Sequence, residues 1–342
     1  MPENNTPEPF VPQLTTRDWN DEWKQLQQAR RRFDDADYWD KRAATFSTKD
    51  APNPYVERFL ELAGIEPGET VFDMGCGTGA LSVPLGKRGI KVVAADFSRG
   101  MLDQLQAALD QEGVRSVFPK QMSWEDDWPS FGVRPGMVDV AVASRSVATA
   151  DLRDSLLRLT DVARRRVCVT LATGTSPRTD ERILNAIGLH SVLGRDHLYA
   201  FNILANEGLR PEVAYIDSTR TDTFDSADDA YGVFTRMVND ATAAFIGEEE
   251  RAAAFVRLRV WLADNLVANE HVGQLDKKGL PREGAAPQRA PHRHLGLPRL
   301  EQVTRSGPEP DGSGPLSHAR NRALLEFDAL EHVGGNAADG GR

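Results

Sequence analysis

The sequence predicts an α/β protein built on a doubly wound, mostly parallel β-sheet. From Thr70 onward, short apolar segments alternate with segments of helical periodicity, and strands joined in this way need crossover helices that cover both faces of the sheet. The 342 residues are 40% hydrophobic and 27% charged, with 28 glycines and 20 prolines. This length and composition are typical of a globular protein with a full core and exclude a fibrous or coiled-coil chain.

The individual elements follow from the spacing of apolar residues. Before the sheet, a spacing of three to four residues predicts helices at 18–33, around 38–46 and at 53–63. Apolar runs predict strands at 70–73, 91–95, 115–119, 138–143 and 166–172, with helices at 79–88, 98–112 and 151–163. Helices at 180–187 and 196–207, a sixth strand at 212–217 and helices at 226–239 and 247–268 complete the pattern. The fold therefore has N-terminal helices and helical insertions around its sixth strand.

The charge balance argues against a nucleic-acid partner. Lys and Arg total 41 against 51 Asp and Glu, and a net charge of −10 repels a phosphate backbone. The runs Arg30–Arg32 and Arg164–Arg166 are interpreted as solvated helix faces. Neither a signal peptide nor a run of ~18 apolar residues is found, so no membrane partner is expected.

The cysteine and histidine content predicts neither disulfides nor a metal site. Cys76 and Cys168 are too few and too far apart for a disulfide framework or a metal knuckle, and a reducing, cytoplasmic location is expected. His292 and His294 lack a third ligand in ordered sequence, so no metal is expected there.

The most informative segment follows the first predicted strand and reads Asp73-Met74-Gly75-Cys76-Gly77-Thr78-Gly79-Ala80. Glycines permit positive φ and a close approach of a ligand to the backbone, and a helix that begins there points unpaired N–H groups at that ligand. Gly75, Gly77 and Ala80 also satisfy the dinucleotide-binding pattern. A nicotinamide-dependent oxidoreductase therefore stays open on spacing alone.

Two acids separate these possibilities. Asp73 stands two residues before Gly75, and Asp96 ends the next strand. With Gly77 and Gly79, these residues resemble the first two motifs of the class I S-adenosylmethionine-dependent methyltransferases of the small-molecule type. The resemblance implies a Rossmann-like fold, S-adenosyl-L-methionine as cofactor, Gly75, Cys76, Gly77 and Gly79 in its cradle, and Asp96 on its ribose hydroxyls.

Further motifs continue the resemblance in chain order. It implies that Phe97, Ser98 and Met101 lie beside the adenine and that Ser123 and Trp124 hold the adenine edge. Ser144 and Arg145 end the fourth predicted strand, which in this family faces the methionine part of the cofactor and the substrate. The match extends over roughly residues 35–217 and says nothing about which substrate is methylated.

Substrate and catalytic residues are predicted less sharply. The segment from Tyr38 to Ala43 resembles the family's lid, which makes Trp39 and Arg42 candidates for contact with substrate or cofactor; their alternative role is plain packing. His197 is a further candidate near the mouth of the cleft, although it is a lone histidine. Cys76 has no histidine nearby in sequence and is not interpreted as a nucleophile. No catalytic residue is assigned, because methyl transfer depends chiefly on positioning.

The domain organisation follows from these motifs. Residues 1–16 are expected to be a disordered tail, 17–50 a helical lid, and 51–275 the methyltransferase domain with a helical insertion at 218–268. Residues 276–342 hold 10 glycines and 7 prolines and few large apolar residues, and are expected to be disordered.

The C-terminal tail also departs from the family pattern. The resemblance implies a seventh, antiparallel strand beside the sixth, yet residues 281–294 contain three prolines, which cannot join the middle of a sheet. A run rich in Arg, Pro, Gly, Ala and His is typical of GC-rich DNA translated out of frame. Two explanations are open, a frameshift near codons 276–284 and a divergent disordered tail, and folding is expected to suffer under the first.

The sequence therefore predicts an S-adenosylmethionine-dependent methyltransferase that acts on an unidentified small molecule by in-line transfer. The alternatives are a nicotinamide-dependent oxidoreductase and a non-catalytic S-adenosylmethionine-binding protein. The methyl-accepting atom and the oligomeric state do not follow from the sequence.

Overall fold

The computed structural model describes residues 14, 17–30, 36–43, 54–173, 179–189, 195–220, 223–224, 226–242, 245–268, 295–296 and 318–328. The chain forms two compact units. The first comprises Met1–Leu171, Asp196–Ala214 and Ala323–Arg342, and the second comprises Ala172–Arg195 and Tyr215–Arg322.

The first unit begins with three helices, α1 (Trp19–Arg30), α2 (Ala36–Ala43) and α3 (Pro54–Ala63). They confirm the three helices predicted before the sheet. α1 is firmly packed: the Trp23 ring is fully buried and its Nε1 donates to the carbonyl of Thr149 at 2.8 Å. Asn20 donates to the Asp151 carboxylate at 2.9 Å and accepts from the Arg153 N–H at 3.0 Å. This helix is therefore fixed to the segment that follows the fourth strand.

The sheet has five parallel strands with helices between them. The strands are β1 (Thr70–Met74), β2 (Lys91–Asp96), β3 (Val117–Gln121), β4 (Val138–Ser144) and β5 (Ala163–Ala172). The helices are α4 (Ser82–Lys87), α5 (Arg99–Glu112) and α6 (Leu152–Val162). The predicted doubly wound α/β fold is thus confirmed.

Two further strands extend the sheet. β6 (Glu212–Arg220) and β10 (His318–Asp328) give the order β3-β2-β1-β4-β5-β10-β6. The strand at 318–328 therefore lies between the fifth and sixth strands, next to the sixth, where the family's seventh strand was expected.

This placement corrects the prediction for the C-terminal tail. Residues 318–328 are a strand and 295–296 form a short one, so disorder throughout 276–342 is wrong at these positions. The frameshift hypothesis rested on a missing strand, and the strand is supplied some way beyond the prolines. The rest of 276–342, including His292 and His294, lies outside the described residues, as do 1–13.

The arginine runs are also corrected. Arg164 and Arg165 lie on strand β5, not on a helix, and pair with Asp139 at 2.8 Å and Glu69 at 2.6 Å. Arg30 ends α1, but its side chain is only 4% exposed and bonds Asp196 through two nitrogens, at 2.6 and 3.2 Å. Bidentate pairing to a carboxylate explains its burial. Arg31 and Arg32 lie outside the described residues.

The core of the first unit fills both faces of the sheet. Its largest fully buried side chains include Phe72 and Met74 on β1 and a stripe of leucines on α6. The stripe consists of Leu152, Leu156 and Leu159, at the three- to four-residue spacing that predicted this helix. Helix α8 (Asp196–Asn206) adds Ala200, Ile203 and Leu204 to the same core.

The described residues of the second unit include the helices α7 (Glu181–Ala186), α9 (Ala227–Thr242) and α10 (Glu248–Asn265). The short strands β7 (Thr223–Phe224), β8 (Val267–Ala268) and β9 (Leu295–Gly296) form an antiparallel sheet in the order β7-β9-β8. α9 and α10 bury Phe234, Val238, Leu258 and Leu262.

Within the described ranges, no helix has the length and apolar character needed to cross a membrane. The same part of the chain contains no cluster of three metal-ligating side chains. Cys76 and Cys168 are both buried, and neither forms a disulfide.

Candidate functional site

The glycine-rich loop lies at the carboxyl edge of the sheet, between β1 and α4. The N–H groups of Gly75 and Cys76 both donate to the Ala95 carbonyl on β2, at 2.8 and 2.9 Å, and the Gly79 N–H donates to the Cys76 carbonyl at 3.0 Å. These bonds tie the loop to its neighbouring strand. Because residues 79–81 form a turn, α4 begins at Ser82, three residues after the predicted start.

The three loop glycines serve different purposes. All have positive φ, at +75° for Gly75, +54° for Gly77 and +90° for Gly79. A Cβ on Gly75 would stand 2.2 Å from Ser146 Cβ, and one on Gly79 would stand 2.4 Å from Leu105 Cδ1. A Cβ on Gly77 would meet nothing within 4 Å. Gly75 and Gly79 are therefore required by packing, whereas Gly77 faces open space that a ligand can enter.

Asp96 closes β2 beside that open space. One carboxylate oxygen accepts from the Gly77 N–H at 2.8 Å, and the other accepts from the Ser98 N–H at 2.9 Å. The side chain is 5% exposed, and burial raises its pKa above the usual range despite these bonds. A carboxylate has about four lone-pair sites, and these backbone donors leave part of that capacity unused. The remaining lone-pair capacity of Asp96 can accept a hydrogen bond from a ligand hydroxyl, such as one that a vicinal diol donates.

Asp73 lies on the neighbouring strand β1 and is more deeply buried than Asp96. It is 1% exposed and accepts a 2.6 Å hydrogen bond from the Ser82 hydroxyl. Burial, aided by the negative charge of Asp96, raises the pKa of Asp73 to about 7. Burial also raises the pKa of the Cys76 thiol well above its ordinary value, with further repulsion from both carboxylates. Such a thiol stays protonated, consistent with Cys76 not being a nucleophile.

A contact between helices flanks Asp96. Ser98 caps α5, since its hydroxyl accepts from the Met101 N–H at 3.1 Å, and that hydroxyl donates to Asp40 of α2 at 2.5 Å. Asp40 also accepts from the Gly100 N–H at 2.9 Å. A Cβ on Gly100 would stand 3.2 Å from Ala43 Cβ, so glycine permits this close approach. These bonds occupy the Ser98 side chain, and a cofactor contact at Ser98 stays a prediction.

The other residues predicted beside the adenine stand on either side of Ser98. Phe97 is partly exposed, and its carbonyl accepts from the Gln121 amide at 3.3 Å. Met101 is 2% exposed in the first turn of α5. Their contact with adenine remains a prediction.

The loop after β3 passes close to Asp96. The Met122 N–H donates to the Asp96 carbonyl at 3.0 Å, which places Ser123 and Trp124 on the same edge of the sheet. The Ser123 carbonyl accepts from Trp128 Nε1 at 3.2 Å, and the Trp124 ring packs on Trp128 with centroids 5.7 Å apart. Trp124 therefore has an aromatic partner within the protein, and its half-buried ring remains a candidate for stacking on adenine.

The end of β4 presents a cluster of hydroxyl groups and one arginine. The Tyr55 hydroxyl of α3 lies 2.7 Å from Ser144 Oγ and 2.8 Å from Thr170 Oγ1 on β5. The Arg145 N–H donates to the same Thr170 oxygen at 3.1 Å, and its guanidinium carbon lies 5.1 Å from the centre of the Tyr55 ring. Ser144 and Arg145 are thus brought to the carboxyl edge, as predicted.

The predicted lid and substrate residues lie on α2 and α8. Trp39 is half-buried on α2, and the side chain of Arg42 lies outside the described residues. His197 is in the first turn of α8 and only 6% exposed.

Three residues of the edge were missed by the sequence analysis. Asp40 is 58 residues from its partner Ser98, and Tyr55 is 115 residues from Thr170. Neither pair leaves a local sequence signal. Ser82 donates to Asp73, which lies 9 residues earlier in the chain. The prediction placed Ser82 inside a helix at 79–88, whereas it is the first residue of α4, and a serine is a recognisable signal of a helix start.

Known proteins resemble this chain over its central part. A family model described as a methyltransferase domain matches residues 71–165. An uncharacterized protein of Haemophilus influenzae is 31% identical over 182 residues, or 53% of this chain and 66% of that protein. The malonyl-[acyl-carrier protein] O-methyltransferase of Serratia marcescens is 47% identical over 55 residues, or 15% of this chain and 22% of that enzyme. The chain therefore matches less than two thirds of the length of either relative.

Among solved structures, the YcgJ protein of Bacillus subtilis is 11% identical with a TM-score of 0.44, and covers 81% of this chain and 98% of its own. With a TM-score this low, the fold assignment rests on the strand order and the parallel pairing of β1 to β5. The glycine-rich loop and the acids at the ends of β1 and β2 all lie within residues 71–165, the segment that matches the methyltransferase-domain model, and this segment resembles the class I S-adenosylmethionine-dependent methyltransferases.

Proposed function

We propose that this protein binds S-adenosylmethionine and methylates a small-molecule acceptor. The observation that carries the proposal is the carboxylate of Asp96. It lies at the end of β2, beside the open space at Gly77, with both oxygens held by backbone N–H groups and with lone-pair capacity left for a ligand hydroxyl. Charge-assisted bonds to a ribose diol are the strong kind of hydrogen bond.

The residues around Asp96 fit the rest of such a cofactor. The space beyond Gly77 accommodates a group that a side chain would displace. Asp73 is close enough to Asp96 to feel its charge, and it offers a buried acid near the cofactor's ammonium position. Trp124 follows β3, the strand next to the one that Asp96 ends, and its half-buried ring is able to stack on a flat base.

When bound, S-adenosylmethionine supplies a methyl group whose bond to the sulfonium sulfur breaks, leaving its electron pair on sulfur, as the acceptor's nucleophilic atom forms the new bond. The protein's own contribution is position and exclusion of water. Asp96 and the glycine-rich loop orient one partner, and the edge formed by Ser144 and Arg145 is available to the other. A neutral acceptor atom becomes positively charged when it gains the methyl group. If that atom carries a hydrogen, it then releases the proton to solvent or to a base.

Two other functions were open on sequence grounds. A nicotinamide-dependent oxidoreductase is not favoured, since the family model that matches the loop and the next strands describes a methyltransferase domain. A non-catalytic S-adenosylmethionine-binding protein uses the same site without transferring the methyl group, and only an activity measurement separates it from an enzyme.

Calorimetric titration with S-adenosylhomocysteine and, separately, NAD⁺ tests the cofactor. Binding of the first and not the second is expected. Asp96→Ala should weaken binding by on the order of 1.5–3 kcal/mol, or ~10–150-fold, whereas Asp103→Ala, which removes an exposed carboxylate from α5, should leave it unchanged. An Asp96→Ala protein that binds as well as wild type contradicts the ribose assignment.

Methyl transfer is tested separately. The protein is incubated with methyl-labelled S-adenosylmethionine and a metabolite extract, and label in small molecules is measured. Label transfer that Asp96→Ala reduces supports an enzyme. Tight cofactor binding with no transfer supports the non-catalytic alternative.

A further inference from the structure

We infer that Arg145 binds an oxyanion of the methyl acceptor, so that the substrate is an anionic small molecule bearing a carboxylate or phosphate. The inference rests on the proposed function, because it assumes that the protein has a methyl acceptor. Its physical basis is the backbone, the stacking and the unpaired charge of this one residue.

The backbone of Arg145 is strained. It is the non-glycine residue with positive φ in the described part of the chain, at +64°. Arginine has no preference for this region, which glycine adopts freely. Strained residues of this kind persist where the surrounding structure holds them, and they cluster at functional sites. The Arg145 N–H donates to the Thr170 hydroxyl, a main-chain bond that does not require an arginine. The reason for an arginine at this position therefore lies in its side chain.

The side chain of Arg145 is ordered without being neutralised. Its guanidinium carbon lies 5.1 Å from the centre of the Tyr55 ring, within the range of a cation–π contact. The Tyr55 hydroxyl is itself held by Ser144 and Thr170. Stacking uses the flat face of the guanidinium and leaves its N–H edge available, and this edge matches a carboxylate or phosphate.

Other arginines near the sheet behave differently. Arg164 pairs with Asp139, Arg165 with Glu69 and Arg158 with Asp154, all through carboxylates of the protein. Among the residues that the structure describes, Arg145 has no carboxylate partner, and it is exposed. An exposed, pre-ordered cation beside a binding edge is suited to an anion from outside the chain.

The position of Arg145 assigns that anion to the acceptor and not to the cofactor. Ser146, the next residue along the chain, fills the space beside Gly75 of the glycine-rich loop. The Arg145 guanidinium is turned toward Tyr55, which bonds Thr170 on β5. β5 lies on the opposite side of β4 from β1 and the ribose acid on β2. The cation is therefore displaced from the cradle toward the side where the second reactant enters.

The test is a calorimetric titration of the protein, saturated with S-adenosylhomocysteine, with inorganic phosphate and in parallel with acetate. Wild type should bind at least one of these anions, and the preferred anion distinguishes a phosphorylated acceptor from a carboxylic acid. Arg145→Gln should weaken that binding at least tenfold. Arg115→Gln, which removes an exposed arginine just after the C-terminal end of α5, should not change that binding.

Two further measurements separate the assignments. If Arg145→Gln weakens S-adenosylhomocysteine but not 5′-methylthioadenosine, which lacks the amino-acid part, the guanidinium serves the cofactor's carboxylate and the inference is overturned. Equal anion binding by wild type and Arg145→Gln, or none by wild type, also overturns it. If wild type fails to bind S-adenosylhomocysteine, the proposed function fails, and the anion titration without it still decides whether Arg145 is an anion site.

Arg145→Gly guards against misfolding as an explanation. Glycine adopts φ of +64° without strain, so this variant should melt no lower than wild type while losing anion affinity as Arg145→Gln does. A variant that is equally stable and binds anions normally contradicts the inference.

Discussion

The hydroxyl of Ser98 donates a 2.5 Å hydrogen bond to the carboxylate of Asp40, and this bond joins α2 to the capped end of α5. Ser98 also donates its N–H to Asp96. A chain of three residues therefore connects the N-terminal helices to the acid proposed to hold the ribose. Cofactor binding and the position of α2 should consequently depend on each other.

Replacing Asp40 with alanine is expected to release α2. Its two hydrogen bonds, from Ser98 and the Gly100 N–H, would be lost, and amides of residues 36–43 should exchange with deuterium faster while those of β1 and β4 are unchanged. Affinity for S-adenosylhomocysteine should fall. Asp110→Ala, on the exposed surface of α5, is the matched control.

The same contact predicts a pH dependence. The hydrogen bond from Ser98, and then that from Gly100, hold the pKa of Asp40 below its ordinary value. A carboxylate with a lowered pKa stabilises the folded contact above that pKa, and the contact weakens as pH falls through it. Exchange of residues 36–43 should thus accelerate on acidification in wild type but not in Asp40→Ala.

The loop glycines should respond differently to alanine. Gly77→Ala adds a Cβ into open space, so the protein should fold with a loss of about 1–2 kcal/mol from the positive φ, but should lose cofactor affinity. Gly75→Ala should cost more stability, since its Cβ clashes with Ser146, and Ser146→Gly should restore part of it. Urea unfolding and calorimetry measure both. Normal binding by Gly77→Ala would show that the loop does not face the ligand.

Asp73 should make stability depend on pH in the opposite sense to Asp40. Burial raises its folded pKa to about 7, above the ordinary 3.8 of the unfolded chain. Folded protein therefore binds more protons than unfolded between these values, and the free energy of unfolding falls as pH rises from about 4 to about 7, by at most ~1.4 kcal/mol per unit. In Asp73→Asn, the free energy of unfolding should fall less steeply with pH than in wild type, as measured by urea unfolding at several pH values. Parallel curves for the two proteins would contradict the raised pKa.

The last strand of the sheet can be tested by truncation. A protein ending at Ser317 lacks β10 and leaves ladder groups of β5 and β6 unpaired, so it should melt at lower temperature and aggregate on size-exclusion chromatography. A protein ending at Asp328 keeps the strand and serves as the control. Equal melting temperatures for the two would show that the sheet does not need this strand.

The parallel sheet and its loop were predictable because they depend on short-range pattern. The strand Lys91–Asp96 contains a continuous apolar run at 92–95 that an acid closes, and the Leu152–Leu159 stripe repeats at helical spacing. The positions of Asp73, Gly77 and Asp96 at one edge then follow from parallel pairing.

Other features depend on contacts that no local pattern records. The bonds of Asp40 and Tyr55 join residues far apart in sequence. The strand at His318–Asp328 begins with three basic residues among its first five and is separated from β6 by residues 221–317, so neither its composition nor its place resembled the expected seventh strand. The solvated interpretation of Arg30 failed because Asp196, its partner, belongs to a distant helix.

The sheet order has a consequence for how the protein is made. During synthesis β5 is complete long before β10, its neighbour in the finished sheet, has been translated. Until then one edge of β5 exposes unpaired ladder groups on an apolar strand, a state open to pairing with other chains. Yield of soluble protein should therefore depend on expression rate and temperature more steeply than its final stability suggests, and a chaperone that shields nascent strands should raise it.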